Sequence, residues 1–282
     1  MLGIGTGAVY ALFALGYALV YDLLGLMNLA HGDILMIATF MCLGTWEATG
    51  SPVLAVAAGL AVGAIAGSVV DQVAYRPLRY TGDTVAPLVA ALGAALVLRN
   101  LAQTAFGPED RSFPDLLAAG HLRLAGVELS VAALIALAGG IALAVAARRV
   151  MDRTAAGAVV LAVAQDLTAA RLVGLPVWLA IVAVYAVAGV VAAIGGVLYA
   201  STFGVLKLSF GWNATVIAFT AAIIGGRGSL LGAVAGGLAL GVATTFLVYF
   251  LPSGYREAIA FILLAAVLIL RADRPPRMVA SD

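Results

Sequence analysis

The sequence predicts an all-α polytopic membrane protein with about eight or nine transmembrane helices, and three observations lead to this fold class. Of its 282 residues, 64% are hydrophobic and 10% are charged, whereas a soluble domain carries roughly 25% charged residues. The mean hydropathy is +1.12. The apolar stretches are continuous, without the alternation of a membrane β-barrel, and such segments satisfy their backbone hydrogen bonds as helices. These properties exclude a cytosolic enzyme, a nucleic-acid-binding protein and a disordered chain.

Apolar segments divide the whole chain, and most have the length of about 20 residues that crossing a bilayer requires. They cover residues 3–21, 34–49, 53–75, 85–105, 129–147, 178–200, 213–227, 231–250 and 256–271. The segment 213–227 is short, so it either crosses or re-enters on the same side. The first segment lacks a basic region and a clear cleavage site, which favours a span over a signal peptide. We therefore expect residues 1–282 to form one transmembrane domain.

The basic residues predict the orientation of the chain. If the N-terminus is outside and every segment crosses, ten of the fifteen Lys and Arg residues face the inside and five face the outside. This is the asymmetry that cytoplasmic loops show. It places loop 106–128 outside, and it places loop 148–177 and the C-terminal tail Arg271–Asp282 inside.

The counts of reactive residues exclude several kinds of chemistry. A single cysteine, Cys42, cannot form an intrachain disulfide, and two histidines make a metal site improbable. The only lysine, Lys207, is followed by Leu208, so the Gly-Lys-Ser/Thr of a P-loop is missing. Any ATP-driven function must therefore use another subunit as its motor. The net charge of +1 gives no reason to expect a nucleic-acid partner.

Glycines recur at every fourth position in two segments, which lets helix backbones approach closely in lipid. The two sets are Gly59, Gly63 and Gly67, and Gly228, Gly232 and Gly236. Packing within the chain is the favoured interpretation, and a contact between subunits is the alternative.

Polar residues interrupt the chain between the first two segments. Asn28, His31 and Asp33 flank Gly32 there and are costly at membrane depth, which by default indicates a functional site. The alternative is a polar turn at the interface. In the fourth segment, Arg99 either lines a pathway or extends to the outer surface, and we favour the outer surface.

The inside loop has the pattern of two short helices. A small-residue helix precedes a polar break at Gln165 and Asp166, where Asp166 can cap a second helix. Gly174 followed by Pro176 is a helix-stop signal. Such a pair can dock into a groove of a soluble partner, or it can lie on the membrane surface without one.

A glycine cluster breaks the apolar sequence near the C-terminal end. It comprises Gly225, Gly226, Gly228, Ser229 and Gly232. Irregular backbone is tolerated at membrane depth where it lines a cavity or is buried in protein. We predict that this break and residues 28–33 line a translocation path at the inner ends of their spans.

Five segments of the chain together resemble the membrane permease subunits of branched-chain amino acid ABC importers. They are the opening pattern Gly5–Gly32, with Gly-Leu-Met-Asn-Leu-Ala-His-Gly, the segment Asp71–Arg79, the loop Thr154–Gly174, the glycine-rich Phe219–Ala233, and Tyr255–Arg271. The chain departs from the family pattern at Leu161, where an arginine is usual, at Asp22, where glycine is common, and at Gln72.

The resemblance implies an importer of several subunits in the bacterial inner membrane. Its partners are a homologous second permease, two cytosolic ATPases that bind ATP and Mg, and an external substrate-binding protein, so this chain has no cofactor of its own. The loop 148–177 becomes the coupling loop, shaped by Gly157, Ala164, Asp166 and Gly174.

The substrates that the resemblance implies are Leu, Ile and Val, other amino acids, or urea and short amides. An ion-coupled secondary transporter is a second class, although the chain offers few membrane carboxylates to build an ion site. A structural membrane subunit is a third class and would not need the coupling loop.

Overall fold

The computed structural model describes residues 2–25, 27–79, 85–116, 121–124, 127–226 and 228–250, with scattered positions between 258 and 269. Its long helices are α1 (Leu2–Leu24), α2 (His31–Thr49), α3 (Pro52–Val70), α4 (Val85–Phe106), α5 (Val131–Arg153), α8 (Val177–Phe203), α9 (Phe210–Gly225) and α10 (Leu230–Phe250), and the short helices α6 (Ala155–Gln165) and α7 (Leu167–Leu172) lie between α5 and α8. Five helices are long and apolar enough to cross a membrane, and α9 is a shorter apolar helix. The predicted all-α polytopic fold is confirmed.

Short strands lie in the connections of the described chain. Strand β1 (Arg111–Ser112) pairs antiparallel with β4 (Val205–Leu206), and β2 (His121–Leu124) pairs with β3 (Val127–Ser130). The sequence predicted only a hydrophilic loop at 106–128. The first pairing joins the connection after α4 to the connection after α8, so these two helices end at the same face of the bundle.

Contacts between backbones fix the direction of each helix. Helix α10 is antiparallel to α1, because Gly237 packs on Ala11 and Gly241 packs on Gly7. Helix α9 is antiparallel to α10, because Gly225 lies against Gly232 and Gly236 packs on Ala221. Helix α9 therefore runs in the same direction as α1, which is the direction that a full crossing of segment 213–227 requires.

Helix α5 also runs parallel to α1, since Gly140 lies beside Leu12 and both Leu19 and Val150 border one groove further along. The C-terminal ends of α1, α5 and α9 thus lie at the same face as α6 and α7. We call this face the α6–α7 end of the bundle.

Helix α1 forms the centre of the bundle. It packs against α5, α8, α9 and α10, and its residues from Ala8 to Val20 with a hydrophobic side chain are buried. The outer helices instead expose apolar side chains, such as Val89 and Leu96 on α4. A bundle that is apolar on both its inside and its outside is typical of a protein surrounded by lipid.

Most glycines of the two repeats pack helices against each other within this chain, whereas Gly228 lies in a turn with no atom within 4 Å of its Cβ position. A Cβ atom on Gly63 would lie 2.9 Å from the Ala193 side chain and would collide with the Gly189 backbone. Helices α3 and α8 approach this closely only because both positions are glycine.

Several predicted boundaries differ from the structure. Helix α2 begins at His31, before the predicted start at 34, so His31 and Asp33 belong to its first turn. Helix α5 continues to Arg153, so residues 148–153 are helix rather than loop. Helix α3 also extends further, through a π-helical turn at Asp71–Tyr75 and a 3₁₀ turn at Arg76–Leu78. The tail Arg271–Asp282 and most of the segment 256–271 lie outside the described residues.

Candidate functional site

The polar residues between α1 and α2 lie in the interior of the bundle. Asn28, His31 and Asp33 are each at most 1% exposed. Six residues separate the end of α1 from the start of α2, and there the chain turns back into the bundle. A Cβ atom on Gly16 would be 2.9 Å from Cε1 of His31, and Gly16 precedes the end of α1 by eight residues, or about 12 Å of helix. His31 and Asp33 therefore lie deeper in the bundle than the inner ends of the spans, which is where the sequence predicted them.

A buried ion pair connects α2 to α4. Nε and Nη2 of Arg99 donate hydrogen bonds of 3.1 Å and 3.0 Å to Oδ1 of Asp33, and Nη2 also reaches Oδ2 at 3.2 Å. The Asp33 side chain is fully buried, and that of Arg99 is 29% exposed. The prediction that Arg99 extends to the outer surface is wrong, because its guanidinium turns inward to neutralise a carboxylate that lipid and protein would otherwise leave unpaired.

Close packing joins the start of α2 to the start of α9. The backbone N–H of Gly32 donates a 2.9 Å hydrogen bond to Oγ1 of Thr215, and that hydroxyl donates to the Gly211 carbonyl at 3.1 Å. Any side chain at position 32 would collide with this carbonyl. A Cβ atom on Gly211 would in turn be 2.7 Å from Oδ1 of Asp33. Gly32 and Gly211 thus permit the ion pair to lie at a helix crossing.

Two buried polar atoms of the cluster have no hydrogen-bond partner among the residues that the structure describes. These atoms are Nδ2 of Asn28 and Nε2 of His31. Oδ1 of Asn28 accepts from the backbone N–H of Ala30 at 3.2 Å and from the hydroxyl of Tyr75 at 3.3 Å. The His31 ring meets the Tyr17 ring edge to face, with centroids 5.8 Å apart. Unpartnered polar atoms in a protein interior are costly unless another state or a ligand uses them.

The glycine-rich break forms the turn between α9 and α10. Gly226 and Gly228 have φ angles of +90° and +77°, which glycine adopts without strain. Oγ of Ser229 accepts a 3.0 Å hydrogen bond from the backbone N–H of Gly232 in the manner of a helix N-cap. Oδ1 of Asp22 accepts from the N–H of Gly228 at 2.9 Å, so the aspartate that departs from the family pattern ties the end of α1 to this turn.

The structure does not bring the two predicted path segments together. Residues 28–33 contact the beginning of α9 through Thr215, whereas the break follows its end at Gly225. Ten residues separate these positions, which is about 15 Å along a helix. The break lies at the α6–α7 end, and the buried polar cluster lies further inside.

Helices α6 and α7 form the helix–break–helix pair that the sequence predicts. Oγ1 of Thr154 accepts from the N–H of Gly157 at 3.0 Å and caps α6. Oδ1 of Asp166 accepts from the N–H groups of Thr168 and Ala169 at 2.8 Å and 2.9 Å and caps α7. Gly174, at a φ of +79°, ends the second helix.

The remaining predicted loop residues differ in exposure. Gly157 is buried against the backbone of Val150 and Met151 at the end of α5, so α6 packs closely on α5 at this residue. Ala164 and Asp166 are exposed at the break. Leu172 and Val173 at the tip are 83% and 74% exposed, which leaves an apolar surface at the α6–α7 end.

Sequence reasoning missed a second buried ion pair next to this loop. Arg79 pairs with Asp71, and both side chains are almost completely buried. The indole of Trp178 donates a 2.8 Å hydrogen bond to Oε1 of Gln72, and Arg76 donates to the same oxygen at 2.8 Å. The sequence signal for this pair was Asp71, an acidic residue at the end of an apolar span. Its partner Arg79 follows eight residues later, and the π-helical turn brings the two side chains together.

Among the described residues, no three His, Cys, Asp or Glu side chains cluster closely enough to hold a metal ion.

Comparison with known proteins decides the family. The family described as the permease component of branched-chain amino acid transport systems matches residues 1–270. The chain belongs to this family. Its relatives are transport permeases rather than enzymes.

Similar proteins span nearly the whole chain. The permease BraD of a high-affinity branched-chain amino acid transport system in Pseudomonas aeruginosa is 32% identical over 95% of this chain and 92% of its own length. LivH of Escherichia coli K12, from a system of the same description, is 34% identical over 95% of this chain and 91% of its own. The solved structure of PsaBC from Streptococcus pneumoniae has a TM-score of 0.50 at 14% identity over 98% of this chain and 91% of that one, which is a likeness of fold.

Proposed function

We propose that this permease translocates branched-chain or related amino acids across the bacterial inner membrane as part of an ATP-driven importer. The observation that carries the proposal is the family match over residues 1–270, which includes the helices, the coupling loop and the glycine-rich turn. Urea and short amides are the alternative cargo. No particular contact among the described residues supports either this alternative cargo or an ion-coupled mechanism.

The proposed assembly contains a homologous second permease, two cytosolic ATPases that hold ATP and Mg, and an external substrate-binding protein. In this proposal α6 and α7 are the element that the ATPases move. The support is the exposed apolar tip at Leu172 and Val173, next to a break that Asp166 holds by capping. An apolar tip beside a rigid turn suits a groove in a soluble protein.

The proposed path runs along the buried polar cluster and the α9–α10 turn. Its residues are Asn28, His31, Gly32, Asp33, Gly225, Gly226, Gly228, Ser229 and Gly232. The unpartnered Nδ2 of Asn28 and Nε2 of His31 support this assignment, because a state open to solvent would satisfy both atoms. Alternating access supplies such a state when the ATPases close and shift the equilibrium between conformations.

Cysteine accessibility tests the path. Single cysteines at positions 28, 31, 226 and 229 should react with a polar maleimide in one nucleotide state of the assembled importer and be protected in another. Ala188, which is buried on α8 beside Gly16, provides the matched position that should stay protected throughout. Absence of labelling at all four positions in every state would refute the path.

Uptake in cells tests the substrate. A strain that lacks this chain, but keeps its ATPases and binding protein, should lose accumulation of labelled leucine, isoleucine and valine and regain it on complementation. Excess unlabelled valine should compete, whereas urea and acetamide should not. If urea or acetamide competes and valine does not, the substrate is the alternative cargo.

A further inference from the structure

A basic cavity lies at the α6–α7 end of the bundle, between the extension of α3 and the start of α8. Its volume is about 320 Å³, and three arginines line it, namely Arg76, Arg79 and Arg171. No carboxylate is among the described residues that form its lining. Cavities that bind small molecules measure roughly 300–1,000 Å³, so this one has room for a phosphorylated headgroup.

Two elements bring the three guanidiniums together. Arg76 and Arg79 follow the π-helical turn that extends α3, and Arg171 lies in the last turn of α7. The Arg76 guanidinium donates a 2.8 Å hydrogen bond to Oε1 of Gln72 and lies 5.9 Å from the centre of the Trp178 ring, a cation–π geometry. Like charges that line one cavity repel each other, and an anion between them offsets this repulsion.

Arg79 lacks one hydrogen bond although its side chain is deeply buried. The side chain is 6% exposed, and its Nη2 donates to Oδ1 of Asp71. Its Nε is buried and has no hydrogen-bond partner among the described residues. An unsatisfied donor on a charged group is costly in a protein interior, so an acceptor in the cavity would stabilise it. Phosphate oxygens are such acceptors, and arginine binds phosphate through several N–H groups at once.

The surroundings of the cavity are those of a bilayer surface. Val73 in the π-helical turn and Leu179 near the start of α8 are 71% and 57% exposed, and apolar side chains of this kind face hydrocarbon in a membrane protein. The indole of Trp178 combines an exposed apolar body with a hydrogen bond to Gln72, which is typical of the membrane–water interface. A phospholipid with its acyl chains in the bilayer can therefore present its phosphate to the cavity.

We infer that this cavity binds a phosphate group through Arg76, Arg79 and Arg171, and that the headgroup of an anionic phospholipid supplies it. Basic pockets between membrane-spanning helices on the cytoplasmic side bind anionic headgroups. Soluble phosphate has the same acceptor chemistry, but it has no acyl chain to contact Val73 and Leu179. The inference rests on the proposed function only for the side of the membrane, which is the cytoplasmic leaflet.

A bound phosphate would connect the α6–α7 pair to a neighbouring span. Arg171 belongs to α7, whereas Arg76 and Arg79 belong to the extension of α3, so one anion contacts both elements. Its oxygens would hold α7 against the end of α3 in the arrangement that the structure shows.

Native mass spectrometry of the purified full chain tests the inference. The chain is titrated in detergent with phosphatidylglycerol and, separately, with phosphatidylcholine, whose headgroup carries a cationic group next to the phosphate. The double variant R76Q/R171Q removes two guanidiniums and leaves the buried ion pair of Arg79 in place. The matched control is R149Q/R153Q, which removes two exposed arginines at the same end of the bundle that do not line the cavity.

Wild type and R149Q/R153Q should bind phosphatidylglycerol in preference to phosphatidylcholine. A basic side chain next to an anionic headgroup contributes about fivefold in affinity, so R76Q/R171Q should weaken binding of phosphatidylglycerol roughly thirtyfold. R171Q alone, at an exposed position of α7, should weaken it about fivefold, and it keeps the test available if the double variant fails to fold.

Competition with inorganic phosphate identifies the source of the phosphate group. Excess inorganic phosphate should not displace phosphatidylglycerol from the wild type, because the acyl chains add to the affinity of the lipid. Displacement, with thermal stabilisation of the wild type but not of R76Q/R171Q by inorganic phosphate, would support the phosphate site and overturn the lipid as its source.

Three results would overturn the inference. Equal binding of the two lipids by the wild type, without stabilisation by inorganic phosphate, would show that the cavity does not select an anion. A loss in R149Q/R153Q as large as that in R76Q/R171Q would show that net charge at this end, rather than the cavity, attracts the lipid. Phosphatidylglycerol that binds the isolated chain but is absent from the assembled importer would show that a partner subunit occupies the cavity instead. The first two results do not depend on what the importer carries, so they are separate from failure of the proposed function.

Discussion

At the scale of single residues, the ion pair between Asp33 and Arg99 places charge in the interior of the bundle, where burial is costly. A fully buried carboxylate is tolerated when a charged partner neutralises it and hydrogen bonds satisfy its oxygens, and three bonds from one guanidinium do so here. Removing one partner leaves the other charge buried and alone, whereas removing both charges leaves two neutral side chains of similar size.

The variant Arg99→Gln should therefore lower the free energy of unfolding by about 3–5 kcal/mol. The double variant Asp33→Asn with Arg99→Gln should recover most of that loss. Thermal unfolding of the detergent-solubilised chain measures both. If the double variant is as unstable as the sum of the two single variants, the pair is not the source of the stability.

Gly32 provides a second prediction at this scale. Alanine at position 32 forces its methyl group into the Gly211 carbonyl and the Thr215 hydroxyl, and overpacking of this kind costs about 1–3 kcal/mol or more. Gly139 is the matched control, since no atom lies within 4 Å of a Cβ built there and alanine is the better helix former. Gly32→Ala should lower the midpoint of thermal unfolding and Gly139→Ala should not. Equal midpoints would contradict the packing described here.

The sequence indicated that Asp33 is important, but it did not identify Arg99 as its partner. An acidic residue in an apolar chain implies a compensating charge, and the sequence contains several arginines at the ends of spans. For Arg99 the sequence left a pathway and the outer surface open, and the outer surface was favoured because long basic side chains often extend to the interface. Only the packing of α4 against α2 shows that the guanidinium turns inward instead.

At the scale of elements, the α6–α7 pair was predictable because its signals are local. Thr154, Asp166 and Gly174 each act on a backbone within three residues, and capping chemistry can be read directly from sequence. The strands β1 and β4 were not predictable, because their pairing joins residues almost a hundred positions apart and each strand has only two residues.

The cap of α7 yields a prediction about coupling. Arginine at position 166 has no acceptor for the two N–H groups and reverses the charge at the exposed break, so Asp166→Arg should insert normally yet lose transport-stimulated ATP hydrolysis. Asp166→Ser keeps a capping oxygen and should retain most of it. Hydrolysis by the reconstituted importer, with and without loaded binding protein, measures both variants. Normal stimulation of ATP hydrolysis in the Asp166→Arg variant would show that this turn has no role in coupling.

At the scale of the whole molecule, the direction of α9 determines the topology of the C-terminal half. The length of segment 213–227 did not decide whether it crosses the membrane, whereas the asymmetry of basic residues between the two sides favoured a crossing. The antiparallel contacts of α9 with α10 and of α10 with α1 give the direction that a crossing requires. Such long-range contacts depend on glycines whose partners a single sequence does not identify.

This arrangement predicts which positions face each side of the membrane. Leu172→Cys at the tip of the α6–α7 pair should react with an impermeant maleimide only from the cytoplasm, and Lys207→Cys beside β4 only from the periplasm. Replacing the single native cysteine, the buried Cys42, with alanine removes the background. Labelling of both positions from one side would require a topology with a different number of crossings.

Reconstituted transport tests the central claim, that this chain is the permease of an ATP-driven importer, most directly. Proteoliposomes that contain this permease, its partner permease and both ATPases receive labelled leucine with the binding protein outside. We predict uptake that requires Mg and ATP at the ATPases and persists when ionophores collapse the proton and sodium gradients. Uptake that continues without ATP and stops when either gradient is collapsed would contradict the claim and identify an ion-coupled transporter.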